Sequence, residues 1–207
     1  EPLGALDAEF REHMAEELRA LHDRMGATTI YVTHDQLEAM QMGDKIVVMN
    51  HGVVEQFGRP QDIYDWPATR FVANFIGSPP MNFLPFHGML GMGGTEVTLA
   101  GAAQAVPAMR EGASGDLVFG VRPEHVHLSD SAAFKARAVA VEYLGTTQIV
   151  TFDTACGTLK ARLSSAERVV EGTQTGLRFD PRSVTIFDAQ SGHALLSEAN
   201  ERVLRHG

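Results

Sequence analysis

Two short stretches carry side chains suited to phosphoryl chemistry. They are Glu1-Pro2-Leu3-Gly4-Ala5-Leu6-Asp7 and Thr33-His34-Asp35, with His34 27 positions past Asp7. Hydrolysis of a γ-phosphate needs an acceptor that orients water, donors that neutralise charge developing on the phosphoryl oxygens, and a phosphate cradle with Mg2+. Glu1 suits the first task and His34 is one candidate for the second. The cradle has no counterpart in the sequence. A phosphate-binding loop needs a glycine directly before its lysine, whereas Lys45, Lys135 and Lys160 follow Asp44, Phe134 and Leu159. The glycine cluster Gly91-Met92-Gly93-Gly94 has neither that lysine nor a helical pattern after it. By itself the chain is therefore expected not to hydrolyse ATP.

The elements that must position these residues follow from periodicity. Asp7 is a good N-cap, and Phe10, Met14, Leu18, Leu21 and Met25 mark one face of a helix over 8–25, closed by Gly26. The opposite face, with Glu9, Glu12, Glu16, Arg19 and Asp23, reads as solvated surface. Thr28 to Val32 is β-branched and aromatic and predicts a buried strand, which puts His34 just past a strand end, where open α/β sheets bind ligands. A short helix over 36–42 follows, with Leu37 and Met40 inward. Lys45–Met49 and Val53–Phe57 then predict a hairpin about Asn50-His51-Gly52. Pro67 is expected to start a further short helix with Phe71, Val72 and Phe75 inward, ended by Gly77-Ser78-Pro79-Pro80.

From residue 80 onward the pattern changes to short β-rich segments separated by Gly, Pro, Asp and Ser. These are 83–89, 96–99, 116–121, 136–144, 148–152, 158–163, 175–179 and 183–187, and they predict a small barrel or a pair of barrels.

Composition narrows the function class. At 207 residues, 44% hydrophobic and 21% charged, the chain is ordinary globular protein with room for one or two domains. It has no run of about 18 apolar residues, so direct membrane insertion is not expected. The formal charge of −9 divides into −7 over residues 1–79 and −2 over 80–207. Neither part has the basic excess that nucleic acid binding uses. Cys156 is alone, which excludes an internal disulfide. His125 and His127 share a face of a possible strand, but without a third ligand nearby they read as surface or hydrogen-bonded histidines and no metal site is assigned. Arg122 and Glu124 beside them are candidates for an ion pair or a turn anchor.

Position after position, Glu-Pro-Leu-x-x-Leu-Asp resembles the end of the Walker B strand and the D-loop of ABC-transporter ATPase subunits, and Tyr31-Val32-Thr33-His34-Asp35 their H-loop. The Ser-Gly-Gly-Gln signature of the family is not in this sequence. Tyr64-Asp65-Trp66-Pro67 through Ser78-Pro79, then Met81-Asn82-Phe83-Leu84, is similar to the junction in maltose-type sugar importers. Gly120-Val121-Arg122-Pro123-Glu124-His125, Glu142 to Gln148 and Asp180 to Phe187 resemble their OB-like (TOBE) regulatory domain.

The resemblance implies an α/β remnant of an ABC ATPase domain over 1–78, followed by an all-β OB-like regulatory domain over 79–207. It implies that Glu1 orients water, that His34 contacts the γ-phosphate and that Asp7 faces an opposing subunit. ATP and Mg2+ would serve the intact parent, with no cofactor expected for this portion. The partners implied are a second ATPase subunit, transmembrane permease subunits and a regulatory protein, at the cytoplasmic face of the plasma membrane. The transported solute would be a carbohydrate or related polyol. The second reading, of a different class, is a non-catalytic binding and dimerisation module. Residues 1–79 are further expected to be loosely folded or completed by another copy, because the strands they should pair with are not in the sequence.

Overall fold

The computed structural model describes residues 8–205. In chain order the elements are α1 (Ala8–Met25), α2 (Gln36–Met42), β1 (Ile46–Asn50), β2 (Val53–Gly58), α3 (Pro60–Asp65), α4 (Arg70–Phe75), β3 (Asn82–Leu90), β4 (Glu96–Leu99), β5 (Ala102–Ala105), β6 (Ala113–Val121), β7 (Val126–Leu128), β8 (Lys135–Tyr143), β9 (Thr147–Thr154), β10 (Gly157–Ser164), β11 (Gln174–Phe179), β12 (Val184–Asp188) and α5 (Glu201–Leu204).

The strands from β3 onward fill two main antiparallel sheets, ordered β10-β9-β8-β11-β7 and β12-β6-β3, with β4-β5 as a separate hairpin. Alternation along these strands sends one side chain in two inward. Leu84, Leu117 and Phe119 from one sheet meet Val150, Phe152, Leu159, Ala161 and Phe179 from the other in a single core. Phe179 lies 5.2 Å from Phe119 and 5.4 Å from Phe134 between ring centroids, in tilted and edge-on contacts. β8 carries a bulge between Ala138 and Ala140 that lets it bend over this core. The protein is thus mostly β-sheet with few helices, as the OB-like expectation requires.

Ahead of the barrel, β1 and β2 form a hairpin whose two-residue loop, His51-Gly52, takes positive φ at both positions (47° and 83°). That geometry matches the twist of the paired strands. Ile46 and Val48 from β1 join Ile63, Val72 and Ile76 in a small core covered by Ala39, Met40, Tyr64 and Phe71. Neighbouring residues of α4 serve two cores, since Val72 lies here while Ala73 packs with Met81, Val118 and Phe187 of the barrel.

Several expectations are corrected. Thr28–Val32 forms no strand, and Ile30 and Val32 are 88% and 73% exposed. β propensity describes a fit to a pleated, half-buried surface, and no described strand lies beside this segment. α1 is a helix as expected, yet Phe10, Leu21 and Met25 of its predicted inner face are exposed. What packs on α1 is α2, near Ala15 and Arg19, with Arg19 donating to Met42 O at 2.9 Å and to Asp44 at 2.8 Å. In α2 the buried residue is Glu38, while Leu37 is exposed. α4 starts at the Thr69 cap rather than at Pro67, and Phe75 is exposed. α3 and β5 were not expected, and of the possible strand at His125 and His127 only His127 lies on β7, His125 ending the turn Pro123–His125.

Candidate functional site

His34 sits exposed on a bend directly before α2. The turn is held by its neighbours. Asp35 is the N-cap of α2, its Oδ1 accepting from the Leu37 and Glu38 amides at 2.8 and 3.3 Å. Thr33 Oγ1 accepts from the Asp35 amide at 2.9 Å and donates to Glu38 Oε2 at 2.7 Å, where the Tyr31 hydroxyl also donates at 2.9 Å. The buried Glu38 carboxylate therefore gathers the residues on either side of Val32 and fixes the backbone that presents the imidazole. Glu1 and Asp7, the other expected site residues, lie outside the described residues.

The turn is tied to the rest of the molecule by Gln36, whose Oε1 accepts from the Gly77 amide at 2.9 Å. Gly77 has φ +115°, a conformation that side chains rarely adopt, and a Cβ placed there would stand 2.7 Å from Arg122 Nη1. Arg122 comes from the loop after β6 and is 1% exposed. Its guanidinium donates to the carbonyls of Tyr64 (Nη2, 2.7 Å; Nε, 3.2 Å), Ala73 and Ile76. These are carbonyls at the C-terminal ends of α3 and α4, where helices leave acceptors unsatisfied and favour a cation.

The guanidinium also lies 4.0 Å from the Tyr64 ring centroid. The Tyr64 hydroxyl donates to Glu124 at 2.6 Å. Burial, then the hydrogen bond and charge of Glu124, push the Tyr64 phenol up to about 12. Burial lowers the Arg122 pKa, opposed by Tyr64, Glu124 and Asp65. Arg122 is thus an anchor for backbone carbonyls, and it meets Glu124 through Tyr64 rather than by the direct ion pair the sequence also allowed.

Two further contacts bind the sheets and the junction. Asn82 Nδ2 donates to Lys160 O at 2.8 Å while the Lys160 amide donates to Asn82 Oδ1 at 2.7 Å, so a side-chain amide closes β3 onto β10. Arg162 donates to Ser78 O at 2.6 Å. His125 and His127 are half-buried, and no group of three His, Cys, Asp or Glu able to hold a metal occurs among the described residues. Gln36 and Asn82 carry no sequence pattern that separates them from ordinary surface amides. Arg122 is visible in the sequence only as a candidate ion-pair partner or turn anchor beside Glu124.

The comparisons place this architecture. The MalK OB fold domain profile matches residues 77–126 and the TOBE domain profile residues 119–187. The sn-glycerol-3-phosphate import ATP-binding protein UgpC of Cereibacter sphaeroides is 43% identical over 198 residues, covering 94% of this chain and 55% of that protein. The trehalose/maltose import ATP-binding protein MalK of Thermococcus litoralis is 41% identical over 207 residues, covering 94% and 56%. Among solved structures, the cytoplasmic molybdate-binding protein ModG aligns with 51% of the chain and 94% of its own at 13% identity and a TM-score of 0.42. Over 94% of its length the chain is similar to ATP-binding subunits of ABC importers, and its second part matches the MalK OB fold and TOBE domains. It spans about 55% of the length of these relatives.

Proposed function

We propose that this chain is the C-terminal portion of the ATP-hydrolysing subunit of an importer for a carbohydrate or polyol, including polyol phosphates. Residues 1–78 are the end of the nucleotide-binding domain and residues 79–207 the regulatory domain. The observation that carries this reading is the His34 turn, an exposed imidazole on a backbone pinned by Thr33, Asp35 and Glu38. A donor fixed before the substrate arrives costs no reorganisation when charge develops on the γ-phosphate.

Glu1 would orient the attacking water and Asp7 would face a second ATPase subunit. Mg2+, when bound with ATP, neutralises phosphate charge. No described residue is assigned to hold it. Closure of two subunits on ATP would move a pair of permease subunits at the cytoplasmic face of the membrane, because only the closed pair contacts ATP from both sides. Among the described residues no helix is long and apolar enough to cross a membrane. The names of the relatives, glycerol 3-phosphate in one and trehalose/maltose in another, support the solute class.

The test has two parts. MgATP titrated into the chain should give no heat of binding, since no phosphate cradle is in its sequence. A chimera joining the chain to the part of the Thermococcus relative left uncovered by the match should hydrolyse ATP, and His34→Ala should abolish most of that rate. A chimera that is active and indifferent to His34→Ala would sink the assignment.

A second reading, a binding module, rests on an open cleft of about 530 Å³ at the ends of β8, β9 and β11, lined by Asp130, Lys135, Arg137, Asp153 and Thr175. Saturable binding of a small polar solute to the chain, with an inactive chimera, would favour it.

A further inference from the structure

The contacts between the His34 turn and the barrel run through three residues in succession. Gln36, two positions after His34, accepts from the Gly77 amide at 2.9 Å. Gly77 follows Ile76, whose carbonyl accepts from Arg122, and the space a Gly77 side chain would occupy is filled by Arg122 Nη1. Arg122 itself leaves β6, the central strand of the β12-β6-β3 sheet. Gln36 is the N-terminal residue of α2, so a pull on its side chain acts on the turn that Asp35 caps. Arg122 is nearly fully buried and held by several carbonyls, so it moves with both the barrel and the α3–α4 segment.

We propose that Gln36 and Arg122 are positioning residues that set the place of the His34 turn relative to the β-barrel, with the Gly77 backbone as the link between them. This rests on reading His34 as a phosphate-contacting residue. It adds that the regulatory barrel has a direct mechanical hold on that residue. Displacing the barrel would bias the phosphate contact through one side-chain-to-backbone hydrogen bond, without any ligand binding near His34. Neither Gln36 nor Arg122 needs to touch nucleotide for this.

Amide hydrogen exchange on the chain tests the link. Gln36→Ala should speed exchange in α2 roughly fivefold, the factor expected when one hydrogen bond of ordinary net strength is lost. Gln36→Glu, which keeps an acceptor oxygen, should restore protection. Arg122→Lys should speed α2 exchange in the native background and add nothing once Gln36 is Ala. Amides of β8 and β9 serve as the reference for global opening. If Arg122→Lys disturbs them, the comparison of Gln36→Ala with Gln36→Glu decides the link by itself.

In the active chimera, Gln36→Ala should lower kcat with the KM for ATP unchanged. Unchanged α2 exchange in Gln36→Ala, additive effects of the two substitutions, or an unaltered kcat would each overturn the proposal. If His34→Ala leaves the chimera fully active, the ATPase reading fails, whereas the exchange cycle still decides whether the link exists.

Discussion

Arg122 shows how a single buried charge can be stable without a carboxylate partner. Taking a guanidinium out of water costs several kcal/mol, and only well-formed bonds to its donors offset that. Here backbone carbonyls of Tyr64, Ala73 and Ile76 and the Tyr64 ring supply them. Tyr64 in turn depends on Glu124, which gives a pH test. Its phenol, ordinarily near 10, is held up to about 12 in the fold. A raised folded-state value means that the contribution to stability is complete below pH 10 and is lost as pH rises through about 12. Urea midpoints between pH 9 and 12 should therefore fall more steeply for the native chain than for Tyr64→Phe, with Tyr64→Phe the less stable of the two at pH 8 by about 1 kcal/mol. Parallel curves across that window would show that Tyr64 is not responsible.

At the scale of elements, a side chain can complete a sheet. Asn82 imitates a strand residue by both donating to and accepting from Lys160. Asn82→Ala should cost roughly 2 kcal/mol, two hydrogen bonds of ordinary net value. Asn82→Asp should cost at least as much, because it retains an acceptor for the Lys160 amide but sets a second oxygen against the Lys160 carbonyl. Chemical denaturation of the two variants checks this, and a neutral Asn82→Asp would contradict the pairing.

The same scale explains what the sequence could and could not show. The eight barrel segments named from alternation all correspond to strands, because a period of two with one buried face is a local property. β5 escaped because Ala102-Ala103-Gln104-Ala105 is too bland to show a period, and β7, three residues long, showed only as the possible strand at His125 and His127. Thr28–Val32 misled for the opposite reason, since its residue types suit a strand and nothing among the described residues pairs with it.

Over the described residues, burial thins from the barrel toward α1. The barrel core unites both sheets, and residues 36–78 rest on it through their own small core and Arg122. The segment between α1 and α2 has Ile30 and Val32 exposed and no backbone ladder to any described residue. In a sample shown to be monomeric, limited proteolysis should cut first within residues 26–33 and leave 36–205 intact. A cut first inside the barrel would contradict this gradient, and equal resistance throughout would sink the expectation that the leading residues are incompletely covered.

What the residues alone determined was the family resemblance, the barrel strands, the identity of His34 as the residue to watch and the missing phosphate cradle, because each is carried by residue type and short-range spacing. Only the tertiary structure decided which apolar faces are covered, that Glu38 rather than Leu37 turns inward, and that Gln36, Gly77 and Arg122 meet. The hydrogen bonds involved join Gln36 to Gly77 and Ile76 to Arg122, positions 41 and 46 residues apart. No local period encodes such a meeting, and it exists only once the barrel and the junction have packed together.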